Sequence, residues 1–515
     1  MKRSNIFCIA AITLVAAMMA SCEKGPYSQK DKNEAGSYIQ ISVAFAGSEA
    51  TKTETAENSD ATVEGTVAEN KIVTAYLYFF KDGNYSKTVS IGGGEFTPGT
   101  ASASDGNVYY TSKPTEIPSG TYNVYATLNN EITGLTGTAE DNFKETQLSV
   151  ASFPISVTES TGIAMSSRST DGTLYQAVTV TSNNTFDNPV HIYLDIERSF
   201  AKLRYKANSN NGNTANVFTV YENRQISGNP ICNISLTNYN VINITKPYYL
   251  FRQVADLVNN GTTITAENKG YSALTTTNYI YDPVTTSRTF SSETLADVTS
   301  NVTKTLYTTT PTLPNNTTDF THLEYLTENS MHKEVQKQGY ATALVFTGDI
   351  TPVSGNYYTT NGSGEVINTT GYTTGDLWFY NNKFYDTMET LNKDTNLAVD
   401  NSNYAAFGVK YYKDGLCYYR YYIKHLDNGT NPGAANPAND KADMGVMEYA
   451  IVRNNSYDVT VSNILAPGQS RLTDVDYGYP NEADAKKDIE MDEVYFQVKL
   501  TIKPWVARTQ SAVLG

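Results

Sequence analysis

Few residues in this sequence have both the type and the spacing that chemistry needs. There are four histidines, His191, His322, His332 and His425. His322, Glu324 and His332 come closest to a metal-ligand set, but their spacing matches no known site. Solvated positions on a helix are the plainer reading, so no metal is expected. Asp474-Val475-Asp476-Tyr477-Gly478 has the flavour of a calcium loop, yet lacks Gly at the sixth position and Glu at the twelfth. Gly92-Gly93-Gly94 lacks the spacing of a phosphate cradle and reads as a turn, and neither His-Glu-x-x-His nor Cys-x-x-Cys occurs. No cofactor is expected, and the chain does not read as an enzyme. Asp386-Thr387-Met388 is a three-residue O-glycan acceptor signal. The run Tyr418-Tyr419-Arg420-Tyr421-Tyr422 could stack on sugars, though sheet surfaces use Tyr routinely.

The more informative residues are those on which chemistry would be done. Lys2 and Arg3 precede an apolar run, Ile6 to Ala20, in the pattern of a targeting segment. Met19-Ala20-Ser21-Cys22 resembles a bacterial lipobox, with Met where Leu is usual. Its chemistry is thioether lipidation of Cys22 and cleavage that leaves Cys22 at the new N-terminus. The alternative is an ordinary signal peptide that contains a cysteine. A lipid would hold a folded domain at a membrane without a spanning helix, and no later stretch is apolar and long enough to span a bilayer. The second such residue is Lys52. It lies in a polar segment after Gly47-Ser48, where a trypsin-like protease would find a soft site and cut between Lys52 and Thr53.

Two strands give that cleavage its meaning. Ile39, Ile41, Val43 and Phe45 fall at every second position, the period of a strand with one face buried. A cut after Lys52 would detach this strand. At the far end Val494, Phe496, Val498, Leu500 and Ile502 alternate with Tyr495, Gln497, Lys499, Thr501 and Lys503, and Pro504-Trp505 ends the run. A removable strand near one end and a spare strand at the other suit a subunit that polymerises by strand exchange. Each strand could equally be a permanent member of its own domain.

Composition sets the frame. At 515 residues two domains are expected. Only 18% of residues are charged, and 39 Tyr and 34 Gly fit an all-β extracellular protein. The net charge of −15 argues against a nucleic-acid partner. Beyond the signal only Cys232 and Cys417 remain, either one bridge or two separate buried thiols.

Along the chain, 1–21 reads as the signal, 22–36 as a tether and 37–52 as the removable strand with its cleavage loop. An N-terminal β-sandwich is expected over 53–206, a C-terminal one with an insertion over 207–490, and the donor strand over 491–515. Residues 71–80 form a strong strand, with Val73, Ala75, Leu77 and Phe79 on one face. Lys81-Asp82-Gly83-Asn84 is a turn, and Pro118-Ser119-Gly120 another. Residues 140–150 suit a short helix, and 191–205 one long strand bent near Ser199. In the second half, strands are expected at 216–221, 229–244, 340–350, 376–386, 404–412, 416–426, 446–453 and 456–464. Lys413-Asp414-Gly415 reads as a hairpin turn, 321–338 as helical, 259–318 as a weakly patterned insertion and 466–490 as an extended linker.

These residues together resemble the fimbrillin family of Bacteroidales, the subunits of type V pili, with the shaft subunit of the minor (short) fimbriae the nearest likeness. The resemblance spans most of the chain. It is carried by the lipobox, the first strand with its following basic residue, Pro118-Ser119-Gly120-Thr121-Tyr122-Asn123-Val124-Tyr125 and Ile196-Glu197-Arg198-Ser199-Phe200-Ala201-Lys202. Further along come Ala341-Thr342-Ala343-Leu344-Val345-Phe346-Thr347-Gly348-Asp349-Ile350-Thr351-Pro352, Val452-Arg453-Asn454-Asn455-Ser456-Tyr457 and Lys503-Pro504-Trp505. The resemblance implies two transthyretin-like Greek-key β-sandwich domains with a few short helices, and export as a palmitate-bearing lipoprotein to the outer membrane. It also implies maturation by a trypsin-like, often Arg-specific, protease. The first strand is then lost and a neighbour's terminal strand fills the opened groove, which builds an extracellular fimbrium. Implied partners are identical subunits, anchor and tip subunits and the protease, with roles in adhesion and biofilm formation. The residue at the cleavage position here is Lys52 where Arg is usual, and the first Arg after the signal is Arg168. Either the protease accepts Lys, or it cuts elsewhere between Lys52 and Lys71. A tip or anchor subunit, or a monomeric surface glycan-binding lipoprotein, are the alternatives.

Overall fold

The computed structural model describes residues 36–45, 63–101, 108–169, 171–260, 264–272, 274–275, 277–284, 302–303, 310–333, 336–426, 444–470, 489 and 495–506. The protein is nearly all β. The first half forms a ten-stranded sheet in the order β4-β3-β8-β10-β12-β1-β6-β5, with β11 on β8 and β7 on β1. Its strands are β1 (Tyr38–Phe45), β3 (Thr74–Lys81), β4 (Asn84–Gly92), β5 (Phe96–Ala101), β6 (Val108–Ser112), β7 (Thr115–Glu116), β8 (Gly120–Leu128), β10 (Met165–Ser167), β11 (Gln176–Val180) and β12 (Val190–Arg198). Two short strands of the same half, β2 (Val63–Glu64) and β9 (Gln147–Ser149), pair instead with the second half. The sheet closes on one apolar core, to which β1, β3, β8 and β12 contribute.

The β3–β4 turn forms as its sequence dictates. Asp82 and Gly83 sit at φ 50° and 74°, values that suit Asp-Gly in a two-residue hairpin loop. The expected helix is a short one, Glu140–Lys144. β3 is buried on both faces. Ala75, Leu77 and Phe79 line the main core, while Tyr78 and Phe80 pack with Tyr125 and Phe143 in a second cluster. Two covered faces account for the nearly continuous apolar run.

The run 191–205 is two strands. β12 ends at Arg198 and β13 (Ala201–Tyr205) begins a different sheet, so the chain crosses between sheets at Ser199–Phe200, ahead of the polar stretch 207–214. β13 lies in a five-stranded sheet ordered β2, Phe496–Val506, Asn455–Ile464, β13, Thr321–Leu326. Opposite it a four-stranded sheet runs β14 (Val217–Tyr221), β15 (Pro230–Ile242), Ala343–Pro352, Leu416–Tyr422. Leu203, Tyr457, Val459 and Ile502 from the first meet Phe218, Ile234, Phe346 and Tyr419 from the second in one core, the arrangement of a sandwich.

Several expectations change. Residues 321–326 are a strand, not a helix. Glu324 and Tyr325, which a surface helix would leave in water, point into buried hydrogen bonds, to Ile155 N–H (3.2 Å) and Glu69 (2.6 Å). His322, Glu324 and His332 are therefore not solvated helix residues; Glu324 and His332 are buried. Lys413–Gly415 turns, with Asp414 at φ 54°, but joins strands of different sheets: Lys410–Tyr412 pairs with Leu377–Tyr380, and Leu416–Tyr422 with Ala343–Pro352. Within 446–453 only Ile451 makes a bridge, to Asn329, although Met447 and Tyr449 to Val452 are buried. The 259–318 stretch supplies Ile264–Gly270 and Tyr279–Ile280, both paired with Val254–Asn259; residues 285–301 and 304–309 lie outside the described residues, as does most of 466–490.

Residues 357–412 form a separate small sheet between two adjacent strands of the sandwich, with the helix Met388–Thr395 against it. Trp378, Tyr385, Leu391, Val399 and Val409 make its own core. The two halves of the chain join through Leu250 and Phe251, which enter the cluster of Tyr78, Phe80, Tyr125 and Phe143, and through β9, which pairs with Pro247–Tyr249.

Candidate functional site

β1 occupies a central slot. It runs parallel to β12 over Ile39–Phe45, paired with Val190–Ile196. On its other side it runs antiparallel to β6 and β7. Ile39, Ile41 and Val43 have no exposed surface and Phe45 only 5%, with the Phe45 ring edge-on to Tyr110 at 5.2 Å. Each such side chain contributes about 1.5–3 kcal/mol by leaving water. Polar contacts fix the ends. Gln40 Nε2 donates to the Ser112 carbonyl (2.8 Å), Ile41 N–H to Ser112 Oγ (3.1 Å) and Tyr38 N–H to the Asn184 carbonyl (2.6 Å). Without β1, both β12 and β6 would present an unpaired edge to an apolar trough.

The terminal strand, Phe496–Val506, is placed differently. It pairs antiparallel with Asn455–Ile464 of its own chain, from Phe496 opposite Ile464 to Pro504 opposite Asn455. Among the described residues its other side is paired only where Trp505–Val506 meets β2. Ile502 is buried, whereas Phe496, Val498 and Leu500 are half-buried against the core. Tyr495 fixes its start. The Tyr495 carbonyl accepts from Leu465 and Ala466 N–H (2.8 and 3.2 Å), and Lys410 Nζ lies 4.7 Å from the ring centroid. Near the other end Lys503 Nζ reaches Asp458 at 3.2 Å, which also holds the Arg204 guanidinium at 2.6 and 2.7 Å.

The chain between these strands is tied down just after the cleavage loop. Glu69 is buried, with Lys202 Nζ at 2.6 and 2.8 Å from its two oxygens and Tyr325 Oη donating at 2.6 Å. Burial pushes the Glu69 carboxyl up, but the Lys202 charge and the hydrogen bonds from Lys202, Tyr325 and Thr66 outweigh it and hold it below its ordinary 4.5. Arg198 Nη2 donates to Asn70 Oδ1 at 2.6 Å. Sequence patterning missed this cluster, because Glu69, Lys202 and Tyr325 are far apart in the chain and share no spacing.

Of the other residues picked out by sequence, Cys22, Lys52, Thr53, Val494 and 474–478 lie outside the described residues. His322, Glu324 and His332 do not converge: no group of three His, Cys, Asp or Glu that could hold a metal occurs among the described residues. Cys232 and Cys417 are buried free thiols, the latter pushed up to about 12 by burial. Tyr419 and Tyr422 are buried, so the Tyr-rich run is not a continuous exposed platform. Thr387 caps its helix, its hydroxyl accepting from Thr390 N–H at 3.1 Å.

Residues 410–511 match the family described as major fimbrial subunit protein type IV, fimbrillin, C-terminal. Comparison with curated proteins finds no match. Among solved structures, a fimbrilin (FimA) of Porphyromonas gingivalis W83 is 13% identical, with a TM-score of 0.39, covering 93% of this chain and 100% of that one. A cell adhesion protein of Parabacteroides distasonis ATCC 8503, described as putative, is 9% identical, with a TM-score of 0.41 over 92% of this chain and 99% of that one. The tip fimbrial protein Mfa3 of Porphyromonas gingivalis is 11% identical, with a TM-score of 0.35 over 91% and 100%. These likenesses are too distant to carry a functional reading of their own. By the C-terminal signature at 410–511, the chain belongs to the fimbrillin family, which supports a role as a fimbrial subunit.

Proposed function

We propose that the protein is the shaft subunit of a cell-surface fimbrium. It is exported as a lipoprotein on Cys22 to the outer membrane and cut between Lys52 and Thr53 by a trypsin-like protease. It then polymerises when the terminal strand of one copy fills the slot left by β1 in the next. Anchor and tip subunits complete the fimbrium, which serves adhesion and biofilm formation. The observation that carries this reading is the contrast between the two strands: β1 is enclosed with ladders on both sides, whereas the terminal strand sits at a sheet edge with three of its apolar side chains half-buried. Moving an edge strand breaks fewer contacts, and its four apolar residues match the spacing of those in β1. A head-to-tail contact of this kind extends without closing, and leaving β1 in place until export keeps the slot blocked. Limited trypsin treatment of the purified precursor tests it. The expected result is a new N-terminus at Thr53 and a ladder on a non-boiled gel that deletion of 494–515 abolishes. A clipped product that stays monomeric would favour a monomeric surface binding protein.

A further inference from the structure

With Ile39, Ile41, Val43 and Phe45 turned to the core, Gln40, Ser42 and Ala44 lie on the other face of β1. There Ser42 is flanked by Tyr193 on β12 and Thr111 on β6, and its hydroxyl is 2.9 Å from that of Thr111. Tyr193 is 56% exposed, edge-on to Tyr109 at 6.3 Å, and Asp195 is the next residue on the same face of β12. Two tyrosines and a carboxylate thus border a seat that Ser42 fills with only a hydroxymethyl group.

The terminal strand carries Phe496, Val498, Leu500 and Ile502 at the spacing of the four β1 residues. Seating one set on the other puts Lys499 in the place of Ser42, whichever direction the strand enters. In its own chain Lys499 stands exposed opposite Thr460. A slip of two residues would keep apolar side chains inward but bring Gln497 or Thr501 to the tyrosines. Alternation therefore rejects odd slips but not even ones.

We propose that Lys499 sets the register of assembly by docking onto Tyr109, Tyr193 and Asp195 of a second copy, its ammonium over the ring faces and Asp195 its counter-charge. This rests on the strand-exchange reading. A cation over an exposed tyrosine contributes about a two- to fivefold gain in affinity, and here it separates the correct seat from its nearest competitors.

The test is capture of a fluorescent peptide of residues 494–506 by the clipped full chain after the protease is quenched. Lys499→Gln in the peptide and Tyr193→Ala in the chain should each lower capture about two- to fivefold. Combined, they should cost no more than the larger single effect. Lys499→Arg should bind as the wild type does, and the gap between Lys and Gln peptides should narrow in about 1 M salt, where screening acts over roughly 3 Å. Equal capture of the Lys and Gln peptides, or two effects that simply multiply, would overturn the proposal. A clipped chain that captures no peptide at all would remove the strand-exchange reading and this inference with it.

Discussion

At the scale of single residues, buried charge is the feature with the largest consequence. Glu69 and Lys202 are both nearly inaccessible and satisfy each other. Glu69→Gln would leave the Lys202 ammonium buried without its counter-charge, at a cost of about 3–5 kcal/mol in urea unfolding of the precursor. The pH dependence has a definite sign. The folded Glu69 carboxyl titrates below its ordinary 4.5, so its stabilisation is complete above that value and is lost as pH falls through the lowered one. The gap between wild type and Glu69→Gln should therefore close on acidification below about pH 4.5. His425 acts earlier. Burial pulls it down to about 3, so it stays neutral when folded, and stability should start to decline once pH drops below the ordinary 6.5. None of this was legible in the sequence. A glutamate in a polar segment after a loop looks solvated until the fold brings Lys202 and Tyr325 to it.

At the scale of elements, the two exchanged strands make opposite demands. Ile41 is fully enclosed, and Ile41→Ala should destabilise the precursor by about 2–5 kcal/mol. Leu500 is half-buried at an edge, so Leu500→Ala should cost the precursor less, measured by the same denaturant titration. In the clipped polymer the order should reverse: Leu500→Ala weakens the ladder, while Ile41→Ala has no effect because that strand has left. Period-two alternation made both strands legible, since it reports that one face is buried. It does not report which sheet a strand joins. The run 191–205 therefore read as one bent strand although Arg198 and Ala201 end and begin different sheets, and the turn at Asp414 read as a hairpin although its flanking strands part. The strand at 321–326 was hidden for another reason. His322 and Glu324 carry polar side chains in a buried or bordering setting, which patterning assigns to solvent.

At the scale of the whole molecule, the two halves are held together by burial as well as by the chain. Phe251 has no exposed surface, and Arg453 donates to the Leu250 and Tyr249 carbonyls at 3.1 and 2.7 Å while reaching Glu328 at 2.7 Å. Phe251→Ala should cost about 3–5 kcal/mol. In calorimetry it should split one unfolding transition into two, as the halves lose their shared cluster. A subunit whose halves move together would transmit force along a filament, which suits the proposed shaft. The central claim is that a tail leaves its own sheet for a neighbour's slot, and a pair of cysteines reads that directly. One population carries Lys499→Cys and a second carries Thr111→Cys, the cross-strand neighbour of Ser42. After mixing and oxidation, a disulfide between the two chains is predicted only once the precursor has been clipped. If clipping yields no such bond, and a chain with both Lys499→Cys and Thr460→Cys closes its internal bridge equally well before and after, the tail has stayed at home and the account is contradicted.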